Sequence, residues 1–310
     1  MPARPVRPLA LLLAPALALA ACGSPPPREF DGPGAFKYIE TQVGFGPRIP
    51  GSAGHRRMVA WLDSILPGKA DTLIVQRWNH VTATGDTLPL SNYLLRFNPR
   101  AEERVLYLAH WDTRPHADSP YQSAEQLKAN RDKPVPGAND GASGVAVLLG
   151  VADVLRKLPP TRGVDLLLID GEDYGDFEKQ PDDVLMGSKY YAAHLPAGPT
   201  PLYAVLWDMV AGKNLQIYQE GNSLLGAPEV VDVVWTAARE VGHSAVFIAS
   251  PKNTLIDDHV SLQKVGIRAI DVVSFYPEYQ YWHTPDDTID KVSPESLQSV
   301  GDVAVHLARQ

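Results

Sequence analysis

Two hydrophobic periods run along this chain. Over residues 52–66, Met58, Trp61, Leu62, Ile65 and Leu66 recur at helical spacing, which predicts an amphipathic helix laid against a sheet. Residues 73–78 and 93–97 are strand-like runs on either side of the turn-rich Thr84-Gly85-Asp86, the pattern of a hairpin at a sheet edge. Further on, 105–109, 164–169, 203–207 and 269–273 are continuous apolar runs, which predict strands covered on both faces. Helices predicted over 144–158, 187–194 and 228–241 separate them. A last helix opens with Ser293 as N-cap and Pro294 at its first position, and buries Leu297, Val300, Ala304 and Leu307.

Strands alternating with helices, with no low-complexity linker between 34 and 310, predict a single α/β domain with a mixed, mostly parallel central sheet flanked by helices. No internal repeat is visible. Polar groups fall at telling places in this frame. His110, Asp170-Gly171-Glu172-Asp173 and Asp208 each follow the C-terminal end of a predicted strand, where open α/β sheets carry their sites. The segment 113–136, rich in Pro, Asp and Lys, reads as a loop over that edge.

The N-terminus changes the picture of where this domain works. Arg4 and Arg7 precede an apolar run over 9–21, too short for a comfortable membrane span, and then comes Cys22, the single cysteine. Residues 1–21 read as an export signal. Leu19-Ala20-Ala21-Cys22 resembles a bacterial lipobox, in which the cysteine is lipidated, and 22–33 then form a Pro-rich tether to a catalytic domain at 34–310. The expectation is an exported lipoprotein, monomeric, facing the periplasm or exterior and touching the membrane only through its anchor. Removing residues 1–21 takes away two arginines and no acid, moving the formal charge from −8 to −10, which argues against a nucleic-acid partner. With Cys22 committed to the lipid, any metal must be held by His and carboxylates.

Several constellations suit such a metal. In His110-Trp111-Asp112 the acid two residues on can orient the imidazole. Asp140 lies among small residues at the mouth of an apolar helix; alone it would read as an N-cap. Asp170-Gly171-Glu172-Asp173 packs three carboxylates into four residues, and a cation relieves their repulsion. Glu172 and Asp173 can divide the labour, one on the metal and one moving protons. His283 follows the last predicted strand in Trp282-His283-Thr284. The acids Asp176, Glu178, Asp182 and Asp183 read as solvated loop, and His55, His80, His116, His194, His243 and His306 as structural or surface residues.

The order His, Asp, Glu-Asp, Asp, His, each after a strand, resembles the co-catalytic zinc aminopeptidases (M28 type) over essentially residues 34–310. That resemblance implies a zinc aminopeptidase-like, phosphorylase/hydrolase-like fold, two zincs on His110, Asp140, Asp173, Asp208 and His283, and Glu172 as general base. A branch of the superfamily is more similar still, the animal-type glutaminyl-peptide cyclotransferases with their bacterial members. His110-Trp111-Asp112-Thr113-Arg114-Pro115, Asp170-Gly171-Glu172-Asp173-Tyr174-Gly175, Asp257-Asp258-His259 in place of the aminopeptidases' usual Ser-Asp-His, and Trp282-His283-Thr284 carry that likeness. It implies one zinc on Asp140, Asp173 and His283, with Glu172, Asp208 and Asp257 as a hydrogen-bonded catalytic acid network. It implies a substrate pocket walled by Trp282, with Trp111 and Asp271 beside it; Trp207 is expected in the core. Asp271 stands where animal cyclases usually carry a histidine, and the retained His110 and Asp208 leave a second metal position open.

The activity so implied is cyclisation of an N-terminal glutamine of a peptide or protein to pyroglutamate with loss of ammonia, Glu172 moving the proton. The rival in the same superfamily is a dizinc aminopeptidase in which Glu172 activates water. A rival of another class is an anchored binding protein on an inactive scaffold, against which every motif position holds a chemically competent residue.

Overall fold

A computed structural model describes Met1 and residues 28–310. The export signal, the lipobox and Cys22 lie outside the described residues. In chain order the elements are α1 Gly32–Gly44, α2 Ala53–Ile65, β1 Thr72–Val81, β2 Thr87–Phe97, β3 Arg104–His110, α3 Ala124–Asn130, α4 Ala142–Lys157, β4 Gly163–Ile169, α5 Met186–Ala193, β5 Ala204–Asp208, β6 Ile217–Gln219, α6 Gly221–Gly226, α7 Pro228–Glu240, β7 Phe247–Pro251, α8 Asp258–Gln263, β8 Ala269–Val273 and α9 Pro294–Arg309. Among the described residues no helix is long and apolar enough to cross a membrane.

Six strands form the main sheet in the order β1-β2-β4-β3-β5-β8. The hairpin β1–β2 runs antiparallel at one edge and β2 meets β4 antiparallel, while β4, β3, β5 and β8 are mutually parallel. This is the expected mixed sheet, and the four buried runs are its parallel strands. Their parallel direction puts all four C-terminal ends on one rim. β3 pairs Leu108 with Leu206 of β5, so His110 and Asp208, each two residues further on, arrive level.

The helix α4 is buried along nearly its whole length, between the sheet on one side and α1 and α9 on the other. Close approach explains its glycines. A Cβ at Gly144 would lie 2.0 Å from the Trp207 carbonyl oxygen, so only glycine lets the helix start against the end of β5. Phe30 packs its ring against Gly150 of α4 and Gly301 of α9 and is buried. Phe30 and the start of α1, inside the segment expected as tether, therefore pack onto the domain. The expected loop 113–136 also contains a helix, α3, started by a capping box between Ser123 and Gln126.

Candidate metal centre and active site

At the sheet rim, His110 at the end of β3 turns Nε2 toward Asp208 Oδ1 at 3.2 Å and Asp140 Oδ1 at 3.1 Å. Asp140 comes from the turn before α4. It is not the helix N-cap; that position is Gly141, at φ +88°, where a Cβ would meet the Asp112 carbonyl oxygen at 2.5 Å. On the other side of Asp140, His283 Nε2 lies 3.6 Å from Asp140 Oδ2 and 3.1 Å from Asp173 Oδ1. Two donor groups result, His110/Asp140/Asp208 and Asp140/Asp173/His283, each with its ligand atoms within 4.8 Å of one another and sharing Asp140.

The electrostatics are those of a cluster short of positive charge. Burial raises the Glu172 carboxyl well above its ordinary range, and Asp173, Asp257 and Asp258 add to the rise against a pull from His110. Burial and Asp208 lift Asp257 to about 7. Burial alone would lower His283, yet Asp173 and Asp118 carry it up to about 9. Asp140 Oδ2 and Asp173 Oδ2 are buried with no hydrogen-bond partner. Carboxylates of this kind beside imidazole nitrogens are hard and borderline donors that suit zinc, whose binding releases the retained protons. The residues fit the metal.

Carboxylates from other loops hold the donors in place. Asp112 lies 3.5 Å from His110 Nδ1, as its spacing predicts, and also accepts the backbone N–H groups of Glu172 at 3.0 Å and Asp173 at 3.1 Å. Asp287 does the same on the other side, accepting the N–H groups of Asn139 at 2.9 Å and Asp140 at 3.0 Å, while the Tyr279 hydroxyl donates to it. Arg48, fully buried, donates to the carbonyls of Trp111, Pro136 and Gly137, tying the His110 and Asp140 loops together. Sequence reasoning missed Asp287 and Arg48, whose bonds to the donor loops span 63 to 148 residues.

Four expectations need correction. Asp170 does not join the carboxylate cluster: it turns to the opposite side, accepting from Ser91 N–H at 2.7 Å and lying 3.0 Å from His55 Nε2. Trp111 is not on the substrate side. It follows His110, so strand alternation sends it into the core, where it stacks on His55 and is fully buried. Trp207 is in the core as expected. Asp271 sits inside β8 opposite Leu206, two residues short of the rim, and is fully buried beneath the site. Glu172, Asp208 and Asp257 are neighbours, but no hydrogen bond joins them among the described residues. Asp208 faces His110, and Asp257 caps α8 by accepting from Asp258 N–H.

A cavity of about 560 Å³ opens at the donors, lined by Asp140, Glu172, Asp173, Asp208, Asp257 and His283 among others. Trp282 forms a wall, its ring stacked on His283 at 3.8 Å and edge-on to Phe275 at 4.8 Å. Two non-glycine residues at this site, Met209 (φ +48°) and His283 (φ +53°), hold left-handed backbone, a strain that clusters at functional sites.

Residues 92–308 match the model of peptidase family M28. The fold is similar to that of a glutaminyl cyclase from Bacteroides thetaiotaomicron, with a TM-score of 0.85 and 31% identity over 91% of this chain and 98% of that one. It is equally similar to a leucine aminopeptidase precursor of the same organism, with a TM-score of 0.84 and 31% identity over 91% and 97%. In sequence, the Bacillus subtilis aminopeptidase YwaD is 30% identical over 181 residues, 54% of this chain but only 36% of that longer relative.

Proposed function

The chain belongs to peptidase family M28, a family of zinc enzymes, and on that premise we propose that it is a glutaminyl-peptide cyclotransferase, converting N-terminal glutamine to pyroglutamate. The observation that carries this reading is Asp257 in the cavity wall, an acid lifted to about 7 that helps raise Glu172.

One zinc on Asp140, Asp173 and His283 would supply Lewis-acid polarisation of the substrate amide carbonyl. The protein's own groups do the rest. The substrate's α-amine nitrogen bonds to the side-chain amide carbon, the carbon–nitrogen bond of that amide breaks, and ammonia leaves. Glu172 takes the proton from the α-amine and returns it to the departing nitrogen. A carboxyl held well above its ordinary range is suited to both transfers. Trp282, flat against His283, supplies the apolar wall that orients a short side chain at the donors. The substrates are peptide or protein N-termini, met by a monomeric enzyme exported and anchored at a membrane through Cys22, facing the periplasm or exterior.

A second reading, a dizinc aminopeptidase in which Glu172 takes its proton from water, is favoured by the complete second group His110/Asp140/Asp208. Asp257→Ser separates the two. On the cyclase reading it lowers kcat for a Gln-initiated peptide by about 10²-fold, measured by ammonia release, because Glu172 loses the acid that helps hold it in its working range. Cyclisation at the wild-type rate would remove Asp257 from the mechanism, and peptide hydrolysis by the unaltered protein would favour the second reading.

A further inference from the structure

The loop 114–119 supplies no ligand, yet it touches two of them. Arg114 presents Nε and Nη2 to Asp118 at 3.0 and 2.7 Å in a two-pronged pair. Its remaining Nη1 donates to the Asp173 carbonyl oxygen at 3.1 Å and to the Gly175 carbonyl at 2.5 Å, and lies 3.4 Å from Asp173 Oδ1. Asp118, aligned in this way, sets Oδ1 3.4 Å from His283 Nδ1, on the ring edge opposite the Nε2 that faces Asp140 and Asp173.

His283 needs such holding. Its backbone is left-handed at φ +53°, a conformation disfavoured for a residue with a Cβ. The same loop fixes that backbone, since Ser119 N–H donates to the His283 carbonyl oxygen at 3.2 Å. The parallel with the other imidazole is close: His110 has Asp112 behind Nδ1, two residues along its own chain, whereas the carboxylate behind His283 arrives from a loop 165 residues earlier.

We infer that Asp118, aligned by Arg114, is a positioning residue for the metal centre. It fixes the tautomer and ring plane of His283 so that Nε2 presents its lone pair, and through Arg114 it couples that ring to Asp173, another ligand of the same group. A carboxylate behind a ligating imidazole raises its basicity, and losing such a partner typically weakens metal binding 10- to 100-fold. The inference rests on the metal reading above.

The test is zinc affinity of the metal-free protein, measured by competition with a chromogenic chelator, alongside its melting temperature without metal. Wild type binds zinc. Asp118→Ala binds it about 10- to 100-fold more weakly with a melting temperature close to wild type. Asp118→Asn, which keeps an acceptor oxygen but not the charge, falls between them. Zinc affinity within twofold of wild type in whichever variant folds overturns the inference, including when only the melting temperature drops, since that marks a merely structural role. A wild-type protein that binds no zinc overturns the metal reading itself.

Discussion

Replacing Glu172 by glutamine lowers kcat for a Gln-initiated peptide by about 10²–10⁴-fold while zinc content and melting temperature stay near wild type. The substitution keeps the shape of the side chain and its backbone bond to Asp112, and Glu172 is not a member of either donor group. It removes only the capacity to take and return a proton. A thousandfold loss corresponds to about 4 kcal/mol of transition-state stabilisation, within the range of general acid–base catalysis. The loss falls on kcat, because proton transfer occurs after the substrate is bound. Steady-state ammonia release against substrate concentration checks this. A variant with a large rise in KM and an unchanged kcat would show that Glu172 binds substrate without moving protons.

Asp140→Asn has a comparable effect by another route. Asp140 is the one donor common to both groups, with Oδ1 toward His110 and Oδ2 toward His283. An amide there offers a neutral oxygen to a doubly charged ion and costs whichever metal count the resting enzyme has. Activity after dialysis falls to that of chelator-treated wild type. Binding also appears in stability: zinc at a thousandfold excess over its Kd stabilises the folded wild type by about 4 kcal/mol. Differential scanning calorimetry with and without zinc should show a raised melting temperature for wild type and none for Asp140→Asn. An equal rise in both would place the metal elsewhere.

Much of this site was legible because it is built at strand ends. Continuous apolar runs mark parallel strands, and a polar residue at the end of such a run has one place to go, the rim where His110 and Asp208 meet. What was not legible depends on which way a side chain turns. Trp111 and Asp170 are adjacent to site residues in sequence, but alternation and the polar partners offered by Ser91 and His55 direct them inward. Asp271 was misplaced because depth along a strand follows from register, here with Leu206, and no local pattern encodes that register.

The supporting residues were hidden for a different reason. Asp118, Asp287 and Arg48 act on backbone or side-chain atoms of distant loops, so nothing near them in the chain signals their role. Two helices did leave signals. Ser123 and Gln126 spell a capping box inside the segment read as loop, and Asp31 with Pro33 starts α1 inside the segment read as tether. Flanking prolines masked the seven-residue α3, and only the first two residues of the 13-residue α1 fall within the segment read as tether.

The most direct test of the central claim is mass spectrometry on two synthetic peptides, one beginning with Gln and one with Leu, each incubated with zinc-loaded protein beginning at residue 23. The cyclase reading predicts loss of one ammonia from the Gln peptide, no change in the Leu peptide, and no reaction after chelation. Release of free leucine with the Gln peptide left uncyclised would contradict it and make this chain an aminopeptidase.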